Sequence, residues 1–171
     1  MRLKKIASVI FISIITVSAS AQQGGESLFG ILHLTPSARM NALGGHQVAL
    51  SENDPSMALY NPALADSSLH KSVSLGFSPY IADINYGYGS FAYDIAGTGT
   101  FFSGIKHMGF GDMIMADENG KIQGTFGASE TVIFLGYSKK LSSRLTAGLT
   151  FKPVFSTIET YNSWGISFDA G

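Results

Sequence analysis

The sequence predicts an all-β protein, an antiparallel transmembrane β-barrel preceded by a short helical segment, and three observations predict it. From residue 72 onward apolar side chains alternate with small or polar ones over segments of about 7–12 residues, which is the period of strands and the length of tilted membrane strands. Charged residues are only 13% of the chain, aromatics are 12% and glycines number 20; soluble domains carry charge at about 25%, whereas a sheet between lipid and water needs less. The third observation is an export leader at the N-terminus.

Arg2, Lys4 and Lys5 form a basic start, Ile6 to Val17 an apolar run, and Ala19-Ser20-Ala21 a small-residue cleavage site. That is the grammar of a cleavable signal peptide over residues 1–21. The apolar run, about 12 residues, is too short for a helix crossing a ~30 Å hydrocarbon core. No cysteine follows the cleavage site, which excludes a lipoprotein anchor, and none occurs elsewhere, which excludes disulfide frameworks and cysteine-based sites. Loss of the leader removes three of the 11 basic residues and none of the 12 acidic ones. The mature chain is therefore mildly acidic, and without a basic patch it has no nucleic-acid partner.

Residues 22–71 form a distinct N-terminal segment of short helical turns. Thr35-Pro36 is a cap followed by proline at the first helical position, Ser37 to Leu43 supplies helix formers, and Gly44-Gly45 is a C-cap able to take positive φ. Asp54-Pro55 and Asn61-Pro62 repeat the cap-then-proline grammar. Such turns are too short to stand alone and need a surface to pack on.

Residues 72–171 supply up to six strands, expected at residues 72–78, 84–93, 98–110, 131–138, 145–152 and 163–169. The fifth is the clearest, with Leu145, Ala147, Leu149 and Phe151 alternating with Thr146, Gly148, Thr150 and Lys152. Short connections are expected at Pro79 to Asp83, Asp94 to Gly99 and Lys139 to Arg144, and a long polar loop from Gly111 to Ser129 with a turn at Asp117-Glu118-Asn119-Gly120-Lys121. If the N-terminal segment lies in the periplasm, the turns at 94–99 and 139–144 fall on the periplasmic side and the long loop outside, as in outer-membrane barrels. The chain stops at Asp169-Ala170-Gly171 within an alternating strand. A barrel in lipid must close and the small closed forms have about eight strands, so the expectation is the N-terminal part of a longer protein, a partial barrel.

Two stretches carry a family resemblance: Ser37-Ala38-Arg39-Met40-Asn41-Ala42-Leu43-Gly44-Gly45 followed by Val48-Ala49-Leu50, and Asn61-Pro62-Ala63-Leu64-Ala65. With them the chain resembles the PorV/PorQ family, outer-membrane barrels of the type IX secretion system related in fold to the FadL transporters of hydrophobic compounds. Gly24-Gly25-Glu26-Ser27, Ile84-Asn85-Tyr86-Gly87-Tyr88, Ala116-Asp117-Glu118 and Glu159 to Ser163 are most like PorQ. The resemblance implies a FadL-like barrel in the cell outer membrane, with the N-terminal segment packed in or under the lumen. It also implies a part in exporting or attaching secreted proteins, with outer-membrane lipid and other type IX components as partners. The alternative it implies is a FadL-like channel for hydrophobic small molecules. Family members run to roughly twice this length. The residues placed in the plug are Ser37, Ala38, Arg39, Ala42, Leu43, Gly44, Gly45, Asn61, Pro62 and Ala63. Arg39 is the only Lys or Arg between Gln22 and His70 and is expected to pin the segment to lumen carboxylates.

No catalytic, cofactor-binding or metal-binding residue is expected, and the protein is read as no enzyme. His33, His46, His70 and His107 include no i, i+4 pair and make no zinc motif. Ser163-Trp164-Gly165 lacks the G-x-S-x-G elbow, and glycine clusters such as Gly87-Tyr88-Gly89 lie within strands instead of opening a helix. Asp117 to Gly120 lacks the alternating ligands and closing Glu of a calcium loop. The tyrosines and Trp164 are candidates for interfacial girdles.

Overall fold

The computed structural model describes residues 29–35, 37–45, 54–80, 82–143 and 145–171. The leader, Gly24 to Ser27, Pro36, His46, Val48 to Leu50 and Arg144 lie outside them.

Strict alternation drives the chain into one six-stranded sheet in sequence order, each strand antiparallel to the next. The strands are β1 (Ser72–Pro79), β2 (Asn85–Ile95), β3 (Gly99–Ala116), β4 (Ile122–Ser142), β5 (Leu145–Ile158) and β6 (Tyr161–Ala170). The all-β antiparallel expectation stands. In the described residues the sheet is open, with β1 and β6 as its two edges.

The turns differ in chemistry. Ala82 and Asp83 both take positive φ, the conformation of tight primed hairpins, and Tyr80 N–H donates to Ile84 O across the same turn. β5 and β6 meet through Glu159 and Thr160, with Ile158 opposite Tyr161. Turns at Ala96 to Thr98 and between Ser142 and Leu145 lie at the other end of the sheet.

The expected long loop is a correction. Residues 111–116 and 122–129 are strand, so β3 and β4 run on as a two-stranded ribbon past the last partner of β2, Asn85 opposite Gly109, and of β5, Ala128 opposite Ile158. A register shift between Gly109 and Asp112 marks where the ribbon leaves the sheet. Asp117 organises its tip as expected of a turn, its carboxylate accepting the N–H groups of Asn119 and Lys121.

Among its described residues the N-terminal segment contains two short helices, α1 (Ala38–Ala42) and α2 (Pro55–Ala58), and 3-10 turns at Gly30–His33, Pro62–Leu64 and Ser67–Leu69. Asp54 caps α2 with Pro55 at the first position, as the sequence implies. The cap of α1 is Ser37, whose Oγ accepts from Met40 N–H at 3.2 Å, where the sequence pointed to Thr35. Thr35 instead places its hydroxyl against the side-chain oxygen of Asn41. The described part of the segment packs on one face of the sheet, where Ile31, Leu59 and Leu69 join Tyr86, Phe102, Val132, Phe134 and Val154 in a single core.

Candidate functional site

The face beneath the N-terminal segment is polar and paved with small residues. Going across the strands it presents Ser90 and Ala92 from β2, Gly104 and Lys106 from β3, Glu130 and Phe134 from β4, Thr150 and Lys152 from β5, and Gly165 and Asp169 from β6. Bulky residues of the segment sit over the gaps. A Cβ added at Gly104 would come within 2.8 Å of Leu59, and one at Gly148 within 2.6 Å of the Pro62 backbone. Only glycine lets the segment approach the strands this closely. Phe29 likewise lies over Gly165.

Charges complete the attachment. Lys106 is 3% exposed, and its ammonium donates to Ile31 O at 3.2 Å and Leu34 O at 2.8 Å. Ile31 N–H donates to Glu130 Oε2 at 2.9 Å. The backbone of one residue is thus held at both ends by side chains of opposite sign, from neighbouring strands. Each such charge-assisted bond is worth about 1.5–3 kcal/mol. Lys152 is ion-paired with Asp169. Both ammonium groups lie 5.2 Å from the centre of the Phe134 ring, within cation–π range. Between the segment and the strands remains a cavity of about 440 Å³ bordered by Leu32, His33, Tyr60, Lys106, Lys152 and Asp169.

Sequence reasoning located the segment and missed its fasteners. Of the residues assigned to it, Asn61 accepts Ala63 N–H at 3.0 Å and turns the chain so that Pro62 is buried against Gly148. Ser37 is the buried helix cap, Gly44 and Gly45 close α1 at positive φ, and Ala38, Arg39, Ala42 and Leu43 lie on its exposed side. Lys106 and Glu130, which the sequence did not single out, bind the backbone of the segment, and their alternation within β3 and β4 was the available signal. His33, His70 and His107 are dispersed: His70 Nδ1 lies 2.9 Å from Asp94 O and His107 Nδ1 2.8 Å from Thr131 Oγ1. Among the described residues no group of three or more His, Asp or Glu is placed to hold a metal ion.

The opposite face of the same strands is uncovered and apolar. It carries Val73, Leu75 and Phe77 on β1, Phe91 and Tyr93 on β2, Phe101 and Ile105 on β3, Ile133, Leu135 and Tyr137 on β4, Leu149, Phe151 and Phe155 on β5, and Trp164, Ile166 and Phe168 on β6. Trp164 is 72% and Leu75 77% exposed. Toward the ribbon this surface ends in polar pairs, His107 opposite Thr131 and Thr157 opposite both Ser129 and Asn162. Among the described residues no helix is long and apolar enough to cross a membrane.

No family model, curated protein or solved structure matches this chain.

Proposed function

We propose that these strands are one side of an outer-membrane β-barrel wall, with the N-terminal segment seated as a plug on its lumen face. The observation that carries this is the inversion between the two faces: large apolar side chains stand uncovered on one, while Lys, Glu, Asp, Ser and Thr are enclosed on the other. A soluble sheet does the reverse, and contiguous apolar surface of this extent is rare on soluble monomers. The dimensions agree. On β5 the apolar outward residues run from Leu145 to Phe155, about 34 Å along the strand and, at a tilt of roughly 40°, about 26 Å in height against a lipid-facing band of ~25 Å. Backbone groups at an open edge are costly in lipid, so the reading requires further strands on the free edges of β1 and β6.

Within that frame the protein is a PorQ-like component of type IX secretion, acting by binding partners during export or surface attachment of secreted proteins. The support is the resemblance of Ser37 to Gly45 and Asn61 to Ala65, two stretches that fall in the plug. Deletion of the gene tests it: secreted proteins should lose surface attachment. Loss of hydrophobic-solute uptake with secretion intact would replace this role by that of a FadL-like channel. Recovery of the protein in periplasm or medium without detergent would reject the membrane assignment itself.

A further inference from the structure

Short of the β3–β4 ribbon, the uncovered face carries one charged side chain among the described residues. Following the alternation outward along every strand gives aliphatic, aromatic, small or neutral polar residues at each position except Lys139 on β4 and, within the ribbon, Asp112 opposite Gly127. Lys139 is exposed and sits opposite Ala147. It follows Tyr137 on the same face, about 7 Å further along the strand. Tyr137 is the edge of an open apolar groove of about 600 Å³ walled by Phe91, Phe101, Leu135, Leu149, Phe151 and Phe168. Its hydroxyl does not face the groove's interior but donates to Thr98 O at 2.6 Å, in the turn at the end of the sheet. The Phe101 and Tyr137 rings lie 4.9 Å apart at the same level.

We infer that this end of the outward face seats one anionic phospholipid, its acyl chain in the groove and its headgroup phosphate on Lys139. The inference rests on the membrane reading and adds a specific ligand to it. Lys139 is an exposed cation beyond the edge of the apolar groove, and the carboxylate that shares this face, Asp112, stands at the opposite, ribbon end of the sheet. A lysine stem can lie along the apolar wall and lift its ammonium to the level where phosphates reside. A further cation, Lys71, lies exposed at this end of the sheet, so the local field favours an anionic headgroup over a zwitterionic one. The nearby carboxylates, Asp66 and Asp94, are on the plug side and engaged there, Asp66 by Ser68 and Asp94 by Thr100.

The test uses the full chain, flotation with vesicles, and native mass spectrometry after release from nanodiscs of phosphatidylcholine alone or mixed equally with phosphatidylglycerol. Flotation with both vesicle types is expected, and one retained phosphatidylglycerol favoured over phosphatidylcholine by roughly fivefold, the effect of one basic residue near an anionic surface. K139Q should float normally and lose the preference; K121Q, at the ribbon tip, should keep it. F151A, which shortens the groove wall, should lower retention of either lipid. A chain that fails to float overturns the membrane reading, and this inference with it. A chain that floats but retains both lipids equally, or a K139Q variant that keeps the preference, overturns the inference alone.

Discussion

On β5 the outward residues Leu149, Phe151 and Phe155 are uncovered, while the inward residues Thr150, Lys152, Val154 and Ser156 are enclosed. The same backbone therefore presents two unlike faces, and the difference teaches where specificity lies. The outward face asks for size and hydrophobicity and tolerates Leu, Phe, Ile or Trp in turn. The inward face asks for particular residues at particular places: glycine under Pro62, lysine under the carbonyls of Ile31 and Leu34, glutamate under the Ile31 amide. A solvent-like environment constrains composition, and a docked chain constrains identity.

Substitutions can break or sharpen this contrast. The largest effect is expected from Ile133→Arg, in the middle of the apolar band. An arginine at bilayer midplane destabilises a barrel by about 2–4 kcal/mol, measurable by unfolding titration in vesicles. A change within about 0.5 kcal/mol, normal for a water-exposed position, would erase the distinction between the faces. Gly148→Val should cost about 1–3 kcal/mol by overpacking against Pro62 and should expose the N-terminal segment to added protease. Lys106→Met preserves much of the side-chain length but removes the donor for two buried carbonyls. It should destabilise by about 1–3 kcal/mol, with proteolysis beginning near Ile31 and the sheet left intact by circular dichroism. Asn61→Ala removes a cap from a three-residue turn and should cost about 1 kcal/mol, seen as a small fall in melting temperature.

The legibility of the sequence divides along the same line. The outward face is readable because period-two alternation is local: all six strands appear from it, and the caps at Asp54 and Asn61 mark turns found in place. The ends of the strands are less readable. Between Gly111 and Ser129 glycine and polar residues mask a ribbon whose stability comes from pairing across the hairpin, which no short window reports. The plug fasteners are the least readable, because Lys106 lies 75 residues from its partner Ile31 and Glu130 lies 99 away. Arg39 stands out in the sequence as the lone cation within the segment, while Lys106 and Glu130 are hidden among the strand residues beneath it. The barrel itself, the secretion role and the lipid seat are proposals built on these faces.

Gly111 stands where the β3–β4 ribbon departs from the sheet, at a φ of +67. A Cβ added there would meet Asp83 of the β1–β2 turn at 3.0 Å. The ribbon therefore turns away from the sheet on a bare backbone braced by a neighbouring hairpin, like an arm against a fixed elbow rest. Its heading relative to the strands is set by one residue and one turn, so a side chain introduced at that joint would redirect the arm while leaving its length, its tip and the sheet below as they are.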